Sequence, residues 1–238
     1  MENKIRFFGR RKSKPIRATR QVLLEELLPK ITLDAHKLSH IDTMFGITPK
    51  EIWLEIGFGG GEHLAQMCAQ HHDIGFIGAE PFLNGVSSLL SHLNGSYESP
   101  KEHTGLDEKF VDNIRIYPND IRQIFSNFKD KSIQKIYILY PDPWPKTRHT
   151  ERRFFNQDNL RELARILADE GTIELATDMP FYIEHALEQI KICDRFIASE
   201  VSEKSPDDWI TTRYEQKALR AGRIPQYVQF KKKGEKLP

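Results

Sequence analysis

The sequence predicts an α/β protein, a mostly parallel sheet wrapped by helices with an antiparallel pair closing one edge. Three observations lead there. Short apolar runs alternate with segments of helical periodicity along the chain, which is the pattern of parallel strands joined by crossover helices. A glycine-rich turn, GFGGG at 57–61, joins the first such run to the helix after it. The last two apolar runs, 196–201 and 227–230, have no strong helix between them, and this predicts the antiparallel closing pair.

The elements follow in order. Residues 1–17 are basic and aperiodic, with Gly9 and Pro15 inside, and read as an arm outside one domain over 18–238. Leu23, Leu24, Leu27 and Leu28 make a short helical stripe over 21–28 that Pro29 ends. EIWLEI is the first strand, and the helix after the glycine turn begins near Glu62. GFIGAE (75–80) is a buried second strand, and 82–93 has a helical pattern. Residues 94–112 are polar, unpatterned and rich in turn formers, and read as a surface insertion. NIRIY (113–117) is a third strand and 121–128 a helix; 133–140 is a fourth strand. A helix over 159–168 stops before Gly171, a fifth strand spans 172–178, and 181–192 is a helix.

Composition narrows the class. The 238 residues are 39% hydrophobic and 29% charged, as in a soluble globular protein. No apolar run approaches the roughly 20 residues of a bilayer span, and the basic N-terminus has no apolar core behind it to make a secretory signal. Cys68 and Cys193 are too few for a disulfide framework and lack the spacing of a metal site; a reducing cytoplasm is expected, with no metal. The net charge of +1 is a cancellation. Residues 1–24 carry +7, residues 212–238 carry +6, and the body between carries −12. Basic ends of this kind serve as nucleic-acid arms or as solvated tails.

In LEIGFGGG, Glu55 lies at the strand end and Gly57, Gly59 and Gly61 follow. Glycines let backbone turn sharply and approach a ligand closely. A dinucleotide fingerprint needs its third glycine at 62, where the chain has Glu62, an acid that would repel a pyrophosphate. Glu55 suits an ammonium group. Glu80, ending the second strand, suits the two hydroxyls of a ribose. Together these favour S-adenosylmethionine over a nicotinamide dinucleotide. Asn119 and Asp120, after the third strand, suit the amino edge of an adenine; Asp120 equally suits a helix N-cap.

The fourth strand runs into PDPWPKTRHTERR (141–153). Three prolines in five residues stiffen the backbone. They hold Asp142 beside Trp144 at a strand end, where open α/β sheets bind ligands. Lys146, Arg148, His149, Arg152 and Arg153 follow directly and suit phosphate contacts. Asp178 in ATD is a second acid at the same sheet edge, and Thr212, Arg213, Tyr214 and Glu215 bring hydroxyl, base and acid to the start of the basic tail.

LEIGFGGG, the strand-ending Glu80, PDPWPK-x-RH-x-x-RR, ATD and the Thr-x-Tyr-Glu box, in this order over 51–215, resemble the bacterial tRNA (guanine-N7)-methyltransferase family. The resemblance implies a seven-stranded Rossmann-like methyltransferase fold. It implies methyl transfer from S-adenosylmethionine to N7 of the variable-loop guanine, position 46, of tRNA. It assigns cofactor contacts to Glu55, Glu80, Asn119, Asp120 and Asp142, with the glycines of the loop, and catalysis to Asp142. It assigns tRNA contacts to Lys146, Arg148, His149, Arg152, Arg153, Asp178 and the Thr212–Glu215 box. The expected partner is tRNA, without a membrane, for a monomer or homodimer in the cytoplasm. Two other readings stay open at this stage. One is an amino-methyltransferase acting on adenine or cytosine, although those use an Asp/Asn-Pro-Pro-aromatic order that this loop lacks. The other is a non-catalytic tRNA-binding protein on the same scaffold.

Overall fold

The computed structural model describes residues 7–9, 11, 15–94 and 112–234. Most of the arm over 1–17 and nearly all of the insertion over 94–112 lie outside the described residues. Two compact units make up the chain, Met1–Asn127 and Phe128–Pro238.

In the first unit, β1 (Glu51–Ile56), β2 (Ile74–Ala79) and β3 (Ile114–Tyr117) run parallel in the order β3-β2-β1. The register aligns Ile56 with Ala79 and Ala79 with Tyr117, so the carboxyl ends of the three strands share one edge. Every residue of β2 is buried, as expected for a central parallel strand. α3 (Glu62–Gln70) and α4 (Leu83–Leu93) follow β1 and β2. Phe76, Ile77, Leu54, Leu64, Leu89 and Leu90 form the core here.

Pro29 does not simply end a helix. α1 (Ala18–Glu26) stops before it, and α2 (Leu28–Ile31) begins with Pro29 in its first turn, where the missing N–H has no intrahelical partner to lose. Two short 3-10 turns over Ala35–Met44, separated by a kink at His40 and started by the Asp34 side chain accepting from the His36 N–H at 3.0 Å, had no sequence signal strong enough to announce them. The expected helix at 121–128 is a 3-10 helix over Ile121–Asn127.

In the second unit, β4 (Ile133–Leu139) pairs parallel with β5 (Leu167–Thr177). β7 (Gln226–Lys232) pairs antiparallel with β5, and β6 (Phe196–Ala198) antiparallel with β7. The closing pair is therefore antiparallel as expected. α5 (Gln157–Ile166) ends two residues early and β5 starts at once, five residues ahead of expectation. The Asp169-Glu170-Gly171 stretch is absorbed as an irregularity between the pairs Ile133–Leu167 and Lys135–Thr172. α6 spans Pro180–Cys193. A helix stands where none was expected: α7 (Arg213–Arg220) lies between β6 and β7. It buries only Glu215 and Ala218, so it has no apolar stripe to read. Its signal is the capping pattern Thr212-x-x-Glu215: the Thr212 hydroxyl accepts the Glu215 N–H at 3.0 Å.

Candidate active site

The glycine loop turns left-handed three times: φ is +75° at Gly57, +58° at Gly59 and +80° at Gly61. An L side chain at any of them would be strained. A Cβ at Gly57 would meet nothing within 4 Å, so backbone is exposed to an approaching ligand there. Behind the loop the packing is tight. A Cβ at Gly85, in α4, would fall 2.1 Å from the Gly59 carbonyl oxygen. Gly85→Ala is therefore expected to destabilise the protein by about 1–3 kcal/mol, the usual range for overpacking; an unchanged melting temperature would contradict this.

Glu80 is buried and braced by the loop it serves. One carboxylate oxygen accepts the Gly59 N–H at 2.8 Å and the other accepts the Phe82 N–H at 2.9 Å. Glu55 is buried too, with His63 Nδ1 2.8 Å from its Oε2. Burial pushes the nearby Cys68 thiol well up, and the charge of Glu55 adds to the effect, so this cysteine is inert. Glu62 folds back over Gly60, whose Cβ would lie 2.4 Å from Glu62 Oε1. This side chain places its own negative charge in the first turn of α3, where a phosphate would otherwise sit. Asn119 and Asp120 follow β3 at the same edge. Asn119 Oδ1 accepts the Asp120 N–H at 2.9 Å, and Asp120 Oδ1 accepts the Arg122 N–H at 3.1 Å. The Asp120 carboxylate also takes the Arg122 guanidinium, with Nε 2.9 Å from Oδ1. The capping role open to Asp120 is thus filled.

In the second unit the loop after β4 is held under backbone strain. Tyr140 has φ +51° and Trp144 φ +42°, conformations that cost non-glycine residues and cluster at functional sites. The Tyr140 N–H donates to Ala176 O at 2.7 Å, which brings the loop level with the end of β5. Asp142 reaches solvent, yet the protein crowding its carboxylate raises its pKa by desolvation. Trp144 lies edge-on to His149 with ring centroids 5.8 Å apart, and the Arg152 guanidinium carbon sits 5.1 Å from its ring. Lys146 and Arg148 are exposed. Partial burial first, and then Arg152, Arg148 and Lys146, lower the pKa of His149, so its imidazole is neutral at physiological pH.

The remaining candidate residues divide by direction. Arg153 is buried and turned toward the loop. Asp178, just past β5, pairs with Arg223, a partner with no motif of its own in the sequence. Thr212 caps α7. Glu215 is buried, accepting from Trp209 Nε1 at 2.7 Å and from the Tyr227 hydroxyl at 2.9 Å. Arg213 and Tyr214 face outward, with Arg213 and Lys217 5.6 and 5.3 Å from the Tyr214 ring centre. Positions 212 and 215 point inward together because they are three apart at a helix start. Burial, reinforced by the Glu215 charge, pushes Tyr140 far above its ordinary value, and the phenol stays protonated. His63, Gly85 and Arg223 are the residues that sequence reading did not single out. Gly85, a glycine inside a helical pattern, was the one with a local signal.

Comparison with known proteins places the chain. A family model described as a putative methyltransferase matches residues 49–226, from β1 to the start of β7. The tRNA (guanine-N(7)-)-methyltransferase of Rhodospirillum rubrum is 41% identical, over 96% of this chain and 88% of that protein. The chain belongs to the tRNA (guanine-N7)-methyltransferase family. The protein of the same name from Cereibacter sphaeroides is 39% identical, over 96% of this chain and 91% of that one.

Solved structures give the fold. The 16S rRNA (adenine(1408)-N(1))-methyltransferase of Catenulisporales acidiphilia, solved with cosubstrate SAM, superposes with a TM-score of 0.58, covering 87% of this chain and 94% of that one at 12% identity. An antibiotic-related methyltransferase gives 0.53, over 86% and 96% at 15% identity. Identities this low speak for the fold alone. That fold is the expected seven-stranded, mostly parallel one with antiparallel closing strands. Among the described residues no helix is long and apolar enough to cross a membrane.

Proposed function

We propose that this chain transfers a methyl group from S-adenosylmethionine to N7 of the variable-loop guanine, position 46, of tRNA, leaving 7-methylguanosine. The observation that carries the reading is the strained Pro141–Trp144 loop. It presents Asp142 to solvent at a strand end, with the exposed cations Lys146 and Arg148 next to it in sequence, in a chain of this family.

The residues of the glycine loop fit the cofactor. Backbone at Gly57 opens onto empty space, Glu80 is held rigid by two backbone N–H groups, and Glu62 disfavours a phosphate. Glu55 would take the cofactor's ammonium, Glu80 its ribose hydroxyls, and Asn119 and Asp120 its adenine edge. S-adenosylmethionine supplies a methyl group activated by a sulfonium. Guanine N7 carries a free lone pair, so no protein group needs to remove a proton, and the protein's task is positioning and charge. Positive charge develops on the purine ring, and Asp142 is the carboxylate placed to stabilise it. Asp178, steadied by Arg223, orients the guanine edge, and Trp144 offers a flat surface to an exposed base. Lys146, Arg148 and the basic ends hold the tRNA backbone. The work takes place in the cytoplasm, by a monomer or a homodimer.

The test is to incubate the protein with S-adenosylmethionine and unmodified tRNA, then digest and identify the nucleosides. 7-Methylguanosine is expected, and a 7-deazaguanine at the target, which has carbon in place of N7, should block it. Methylated adenine or cytosine instead would refute the assignment.

A further inference from the structure

Arg153 belongs to the basic run that sequence reading assigns to tRNA phosphates, but it does not face outward. The residue is 9% exposed. Nε donates to the Pro143 carbonyl and a terminal nitrogen to the Trp144 carbonyl, both at 3.2 Å. These are the two residues directly after Asp142. The loop needs such donors. It belongs to no strand or helix, and its prolines have no N–H to give. A planar guanidinium can grip two adjacent carbonyls at once, which an ammonium cannot do in the same geometry.

The other side of Arg153 is anchored. Its guanidinium carbon lies 5.2 Å from the Phe181 ring centre, at the start of α6. Its N–H donates to Thr150 O at 3.0 Å. Its carbonyl accepts from Asn156 Nδ2 at 3.0 Å, while Asn156 Oδ1 caps α5 by accepting the Asn159 N–H at 3.0 Å. The strained Trp144 backbone is thus tied through one residue to the starts of two helices, to α6 by the Arg153 side chain and to α5 by its main-chain carbonyl. We infer that Arg153 is a positioning residue, a latch that holds the loop carrying Asp142 in its working shape, and not a phosphate contact. The inference rests on the proposed role of Asp142.

The test compares Arg153→Lys and Arg153→Gln with the native protein. Both are expected to lower kcat on the order of 100-fold, the cost of a misplaced reacting group. The KM for tRNA should change by less than about threefold, as when an interaction acts mainly in the transition state. The slope of log affinity against log salt should stay unchanged in both. A phosphate contact behaves oppositely. Lys would then preserve activity, and Gln would lower the slope by about 0.7–0.9. Either result overturns the latch.

Hydrogen exchange gives a readout independent of turnover. Amides over 140–153 should exchange faster in Arg153→Lys while those of β1 and β2 keep their rates; unchanged exchange over 140–153 also overturns it. Should both Arg153 variants fail to fold, Phe181→Leu, which removes only the ring under the guanidinium, should speed exchange over the same amides, and no change there counts against the latch. If the native protein forms no 7-methylguanosine, the functional reading falls, and the exchange experiment still decides the latch.

Discussion

Replacing Asp142 by Ala should lower kcat for tRNA methylation by about 10²–10³-fold, the range seen when one preorganised electrostatic group is removed, while tRNA affinity stays nearly unchanged. In the proposed reaction the carboxylate faces charge that appears on the purine only as the methyl arrives, so its loss belongs in kcat and not in binding. Asp142→Asn keeps the shape and loses the charge, and should fall almost as far.

The pH profile adds a second check. Crowding penalises the charged form and raises the Asp142 pKa, so the group takes up its proton at a higher pH than the ordinary Asp value of about 3.9. In the proposed role Asp142 acts in its ionised form. On acidification the native rate should therefore begin to fall above the usual carboxylate range, and that limb should vanish from the residual activity of Asp142→Asn. An Asp142→Ala protein with native turnover would remove Asp142 from the mechanism.

Deleting residues 1–17 should weaken tRNA binding and flatten its salt dependence. The truncation removes Lys4, Arg6, Arg10, Arg11, Lys12, Lys14 and Arg17 with one acid, Glu2. Each cation on a phosphate contributes about 0.7–0.9 to the slope of log affinity against log salt. If about four of the seven engage, the slope should fall by about 3, and the loss of affinity should be greatest at low salt. Cofactor binding should change little. Among the described residues the arm's backbone accepts from the body at Arg11 O, which takes the Leu83 N–H at 3.0 Å, and at Arg17 O, which takes the Arg20 and Gln21 N–H groups at the start of α1, whereas Glu80 is held by Gly59 and Phe82. Unchanged tRNA affinity and slope after truncation would make the arm a solubility tail.

The strands and the glycine loop were legible because their signals are local. Buried strands such as 74–79 read as continuous apolar runs, and four glycines in five residues announce a tight turn, which the backbone makes with three of them left-handed. The PDPWP stiffness was legible for the same reason. Boundaries were less so. Gly171 reads as a stop, but pairing with β4 draws Leu167–Gly171 into β5 as an irregularity, and ladder hydrogen bonds outweigh a single glycine's preference. α7 escaped notice because its buried face consists of a carboxylate and an alanine. Glu215 is tolerable inside only because Trp209 and Tyr227, from outside the helix, supply donors.

By itself, then, the sequence determined the strands and most of the helices, where the strand-end acids lie, and that charge is sorted into two basic ends and an acidic body. Those follow from residue spacing and composition. Only the tertiary structure decided which members of a motif face solvent. Lys146 and Arg148 point out while Arg153 turns in to bind two carbonyls, and Arg213 and Tyr214 point out while Thr212 and Glu215 turn in. Identical side chains in one run serve a ligand or the fold according to which buried polar groups need a partner, and that need arises only once the chain has packed.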